Sequence, residues 1–262
     1  MNDHDYNLWS KDKREELKID MWKAMSDRAI QLLRPMANDV LLDIGKNAGT
    51  TALAFHKSVS KITAIDITEH GTKKLYEEIQ RKHISNIEVI TSCKPGLGLP
   101  FEDAVFDIVT CRLVLDQVED TKSFLAEVHR VLKSSGKLGV SVWVLSEGIK
   151  DLWTSLTKAV KSDHKNDFTY LEIIELITST GFEIESMIPF SAPRSLNEKL
   201  NRIQDEAAKD HLFNTFLSNK ERFAELRFRF IDDPDDLKML KKDGQPQWFH
   251  DFNIIEILAI RR

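Results

Sequence analysis

The chain is short of glycine: it has ten in 262 residues, where an average share would give roughly 18. A glycine found at a turn is therefore expected to have a backbone reason for being there. Cysteine is scarcer still. Cys93 and Cys111 are the two present, which excludes a disulfide framework and a cysteine-based metal site. No apolar run approaches about 20 residues, so a transmembrane helix is excluded. The first nine residues, MNDHDYNLW, have neither the apolar stretch of a signal peptide nor the arginines of a transit helix, and a cytoplasmic location is expected. Positive charge is not concentrated either. Lys and Arg total 37 against 42 Asp and Glu, with no basic block, which disfavours nucleic acid as a partner.

What is present is a regular alternation. Residues 11–34 carry Leu17, Met21, Met25, Ile30 and Leu33 at helical spacing, and Pro35 stops the run. Short apolar bursts follow at Val40–Ile44, Lys61–Ile67, Asn86–Thr91, Phe106–Cys111 and Lys137–Val144, with helical stretches between them. Two more bursts, Phe182–Phe190 and Phe252–Ile260, close the chain. Continuous apolar strands alternating with helices predict a doubly wound α/β sheet, covered on both faces, with its ligand cleft at the C-terminal ends of the strands. Residues 192–250 are too long for a loop and read as a helical cap inserted before the last strand. The expected division is therefore a helical segment 1–37, a sheet domain 38–191 with 251–262, and the cap. Eleven Lys/Arg balance eleven Asp/Glu in the cap, and it is rich in aromatics. That composition suits a small, partly apolar ligand better than nucleic acid.

The loop after the first strand reads Asp43-Ile44-Gly45-Lys46-Asn47-Ala48-Gly49. It lacks the third glycine of a dinucleotide fingerprint. Gly45 permits a tight turn and Gly49 a close approach, while Asn47 is the residue type that best substitutes for glycine at positive φ. The second strand ends at Asp66, 17 residues past Gly49. A carboxylate there suits the two hydroxyls of a ribose; capping the next helix is the competing use.

Taken in order, LLDIGKNAG (41–49), AIDIT (64–68), LPFEDAVFDIV (99–109) and FLAEVHRVLKSSGKLGVSV (124–142) resemble the motifs of class I S-adenosylmethionine-dependent methyltransferases, in the group of the ubiquinone and menaquinone C-methyltransferases. The resemblance implies a Rossmann-like seven-stranded sheet with an antiparallel last strand, and S-adenosylmethionine as cofactor. It also implies transfer of a methyl group to a small-molecule acceptor by in-line displacement. Asp43, Gly45, Asn47 and Gly49 would line the methionine part of the cofactor, Asp66 would hold the ribose, and Ile67 would pack near the adenine. Arg112 to Gln117 would face the reactive methyl, with Asp116 as a base and Gln117 or Arg112 orienting the acceptor.

The chain departs from the pattern in two places. Asn47 replaces the middle glycine of the first loop. Cys93 stands nearest the place of an acidic residue that accepts from the adenine amino group, in a loop about two residues longer than usual. A thiol is a poor acceptor, so that bond falls to Ser92 or to backbone. These departures sustain a second reading, in which the fold serves a cyclase-like or isomerase-like enzyme or a non-catalytic relative.

Overall fold

The computed structural model describes residues 23–45, 49–90, 98–148, 150–160, 164–195, 203, 205–218, 228–230 and 248–262. The chain forms helix α1 (23–33), then β1 (Val40–Gly45), α2 (Thr50–Phe55), β2 (Lys61–Asp66), α3 (Glu69–Arg81), β3 (Ile87–Ile90) and β4 (Phe106–Arg112). There follow α4 (Thr121–Val131), β5 (Leu132–Leu145), α5 (Lys150–Val160), β6 (Phe168–Thr169), α6 (Tyr170–Ser179) and β7 (Phe182–Ser195). Last come α7 (Glu206–Ser218), β8 (Phe228–Phe230) and β9 (Trp248–Arg261). The main sheet runs β3-β2-β1-β4-β5-β9-β7, with β6 paired to β5 and β8 to β9. Strands β3, β2, β1, β4 and β5 are parallel, and the last strands are antiparallel.

Period-two alternation sends side chains to two cores. Leu42, Ile44, Val109, Cys111, Val140 and Ile257 pack on one face with α4 and α6 through Phe124, Val128, Ile173 and Ile177. Leu41, Ile62, Ala64 and Ile108 pack on the other with α1, α2 and α3 through Leu33, Phe55, Leu75 and Ile79. Each fully buried aliphatic side chain contributes about 1.5–3 kcal/mol. The apolar bursts become strands because both faces are covered.

Two sequence motifs lock into one another at the N-terminal edge of β4. The Arg130 guanidinium donates to the carbonyls of Phe101 (2.8 Å) and Leu99 (3.0 Å) and to the carboxylates of Asp103 and Glu127. Glu127 in turn accepts from the Leu99 N–H at 2.9 Å. Lys133 reaches both oxygens of Asp107 at 2.8 Å, and Asp107 also accepts from the Val40 N–H. The LPFEDAVFD and EVHRVLK segments are thus two halves of one clamp.

Two compact units are present, one made of Trp22–Val144, Lys165–Phe190 and Ile254–Arg262, and another that takes in Leu145–His164 and Ser191–Asn253. Helix α1 belongs to the sheet unit and α5 to the other. Strands β7 and β9 extend past their apolar bursts into the 192–250 segment, and 228–230 pairs antiparallel with Trp248–His250. That segment therefore contributes strand as well as the helix α7. Ladder hydrogen bonds need no apolar side chain, which is why hydropathy did not mark these residues.

Candidate functional site

The site grows from a row of residues in register across the sheet. Asp66 on β2 pairs with Gly45 on β1, Gly45 with Arg112 on β4, and Arg112 with Ser141 on β5. The first three are the last residues of their strands, so the row lies where a parallel sheet opens its ligand crevice. Asp43, Gly45, Gly49, Thr50, Thr51, Asp66, Leu75 and Arg112 are among the residues lining a cleft there.

Backbone geometry makes the cleft possible. Gly49 precedes α2 with φ 63°, and an added Cβ would lie 2.4 Å from Leu75. Both facts call for glycine. Gly45 is uncrowded, since an added Cβ would make one ordinary contact, with the Arg112 carbonyl at 3.7 Å. The Ile67 N–H donates to the Gly45 carbonyl at 3.0 Å, tying the end of β1 to the turn after β2.

Buried charge gathers around this frame. Asp43 is 4% exposed; its carboxylate accepts from the Thr110 hydroxyl at 2.7 Å and the Ala52 N–H at 3.1 Å. Burial pushes its pKa up to about 6, against the opposing pull of those two donors and of Arg112. Arg112, also 4% exposed, donates to Ser26 Oγ at 2.7 Å and Thr51 Oγ1 at 3.3 Å. Asp66 Oδ1 accepts from the N–H (2.9 Å) and hydroxyl (2.6 Å) of Thr68. Thr68, rather than Asp66, caps α3, accepting from the Gly71 N–H. The Asp66 carboxyl packs so closely over Gly71 that a Cβ there would come within 2.2 Å of it.

Of the residues singled out from the sequence, Asp43, Gly45, Gly49, Asp66 and Arg112 are brought together around the cleft. Ile67 follows directly and is half-buried against the core on the α4 and α6 face. Asp116 and Gln117 do not line the cleft. They form a 3₁₀ turn beyond Arg112, where Gln117 Nε2 donates to Asp116 Oδ2 at 2.7 Å and the Asp116 carbonyl accepts from Lys165 and Asn166. Asn47, Ser92 and Cys93 lie outside the described residues, as do most of the cap's aromatic side chains. Cys111 is core, its thiol pushed up by burial, so it is no nucleophile.

Sequence reasoning missed the far end of the row. Ser141 Oγ donates to Glu256 Oε2 at 2.6 Å, and Glu256, on β9, is 3% exposed. Burial raises its pKa, with the charges of Arg112 and Arg28 pulling the other way. The signal was visible as the one charge inside the apolar run FNIIEILAI. Among the described residues, no group of acidic, histidine and cysteine side chains could hold a metal ion, and no helix is long and apolar enough to cross a membrane.

Residues 42–140 match the model of a methyltransferase domain. Bacillus subtilis (strain 168) YcgJ, an uncharacterized methyltransferase, is 36% identical over 97 residues, covering 37% of this chain and 38% of that protein. The uncharacterized protein YafE of Escherichia coli (strain K12) is 25% identical over 167 residues, covering 63% of this chain and 79% of its own. The match to YcgJ thus spans well under half of that relative. A crystal structure of a Bacillus halodurans C-125 protein superposes on 90% of this chain and 98% of its own with TM-score 0.77 at 22% identity, a likeness of fold.

Proposed function

Because the sheet domain belongs to the class I S-adenosylmethionine-dependent methyltransferase family, we propose that this protein binds S-adenosylmethionine in the cleft at Asp43, Gly45, Gly49, Asp66 and Arg112 and transfers its methyl group to a small-molecule acceptor. The observation that carries the reading is the row itself: a carboxylate, an uncrowded glycine and a guanidinium in register at the ends of three neighbouring strands.

The residues suit the group. The uncrowded Gly45 admits a ligand against backbone, and the buried cation of Arg112 beside the buried acids Asp43 and Asp66 matches a ligand carrying charges of both signs. When bound, S-adenosylmethionine supplies a sulfonium methyl group open to in-line displacement. The chain's task is then alignment. Asp66 receives the ribose hydroxyls, held in place by Thr68 and by the absence of a side chain at Gly71. Asp43 fixes the start of α2 through Ala52 and the β1–β4 pair through Thr110. Ile67, Ser92 and Cys93 border the adenine, and Asn47 completes the loop with Gly45 and Gly49. Asp116 and Gln117, one turn past Arg112, serve the acceptor side, with Asp116 as base where the acceptor holds a proton.

Asp66→Ala tests the assignment. Loss of a charge-assisted pair of hydrogen bonds lowers cofactor affinity by about tenfold or more. Unchanged affinity by calorimetry would mean that the ribose lies elsewhere.

A further inference from the structure

We propose that Ser26, on α1, is a positioning residue for cofactor binding: its hydroxyl fixes the Arg112 guanidinium at the cleft. Helix α1 then belongs to the binding site, although it lies outside the residues that match the methyltransferase model. The proposal rests on the cofactor reading above, in which Arg112 meets the ligand.

The inner face of α1 leads to it. Met25, Ala29 and Leu33 are buried, and the helix lies so close to the sheet that a Cβ on Gly139 of β5 would come within 2.8 Å of Leu33. The Lys137 ammonium donates to the Leu33 carbonyl at 2.8 Å, fixing the C-terminal end of the helix to the same strand. Ser26, three residues before Ala29, is buried with this face. Serine gains nothing over alanine within a helix, and a buried hydroxyl costs free energy unless it is hydrogen-bonded. Packing therefore gives no reason for a hydroxyl here. Arg112 gives one: its Nη1 donates to Ser26 Oγ at 2.7 Å, from 86 positions along the chain.

Placement turns that bond into a device. Arg112 lines the cleft together with Asp43, Gly45 and Asp66. An arginine side chain has much rotamer freedom, so its aim must be imposed by its neighbours or be ordered when the ligand arrives. Here the same Nη1 is held from two helices, by Ser26 of α1 at 2.7 Å and by Thr51 of α2 at 3.3 Å. A hydrogen bond from an ionised donor is strong when short, which makes Ser26 the principal hold of the two. The guanidinium therefore meets the ligand already ordered.

The test is titration calorimetry with S-adenosylhomocysteine on the wild-type protein, Ser26→Ala, Arg112→Met and the double variant. Ser26→Ala is expected to weaken binding about fivefold, since Thr51 still holds the guanidinium. Because Ser26 acts through Arg112, adding Ser26→Ala to Arg112→Met is expected to change affinity less than about twofold. A serine that merely packed α1 would give the same loss in both backgrounds or none in either. Ser26→Ala binding as tightly as the wild type, or costing as much with Arg112→Met as without it, overturns the proposal. Should Arg112→Met fail to fold or to bind, Ser26→Thr and Ser26→Val decide, because they fill the same space and differ in the hydroxyl. The threonine variant is expected to bind about fivefold more tightly than the valine variant, and equal affinity overturns the proposal. These failures leave the cofactor reading standing. A wild-type protein that does not bind S-adenosylhomocysteine at millimolar concentration overturns that reading itself, and this proposal with it.

Discussion

Asp43 is where burial and charge oppose each other most directly. Its folded pKa of about 6 lies above the ordinary 3.8, so the folded state holds its proton more tightly than the unfolded chain. That contribution to stability is fully present below pH 3.8 and is lost as pH rises through about 6. Asp43→Asn keeps both contacts, since the amide can accept from Ala52 and donate to Thr110. Urea unfolding of the two proteins across pH 4 to 7 should show the wild type losing up to about 3 kcal/mol relative to the variant as pH rises. A constant difference across that range would place the titration elsewhere. At this scale the sequence was readable for position and less so for state. Asp43, Gly49 and Asp66 were found from spacing, but nothing in spacing says that Asp66 leans on Thr68 or that Gly71 must be bare beneath it. Ser135 shows the same limit. It takes φ 60°, a backbone state that favours glycine, an adjustment that a residue list conceals.

Elements were the most legible level, because a strand covered on both faces must be apolar throughout and a helix covered on one must repeat near 3.6. The strands that hydropathy did not announce, β6, β8 and the outer ends of β7 and β9, depend on backbone pairing. The two most specific motifs, LPFEDAVFD and EVHRVLK, were legible as a signature without their reason. Arg130 supplies it, bridging Leu99, Phe101, Asp103 and Glu127 from α4. These bonds hold the entry to β4, the strand that ends at Arg112, so the motifs serve the site through position. Arg130→Met should lower stability by roughly 1–3 kcal/mol in urea unfolding, the range for bonds to a charged group, toward the low end because the side chain is partly exposed. It should leave cofactor affinity within about twofold. A loss of affinity without a loss of stability would mean that the clamp reaches the cleft directly.

Across the whole sheet unit, one register row links β2, β1, β4 and β5, and the Ser141–Glu256 hydrogen bond reaches β9 from its end. Residues far apart in sequence converge, Ser141 and Glu256 across 115 positions, only because β4 inserts beside β1 and β9 beside β5. That insertion is a property of topology, which explains why Glu256 could be noticed in the sequence as an oddity yet not assigned. Asn47 and Cys93, the departures from the family pattern, lie outside the described residues, so this row says nothing of them. The second reading, a fold retained without methyl transfer, predicts nothing different about the row unless the cleft has ceased to bind. The deciding measurement is therefore titration calorimetry of the wild-type protein with S-adenosylmethionine at neutral pH. Saturable one-to-one binding at a dissociation constant below about 100 μM, worth at least roughly 5 kcal/mol, is the expected result, and absence of binding at millimolar cofactor would contradict it.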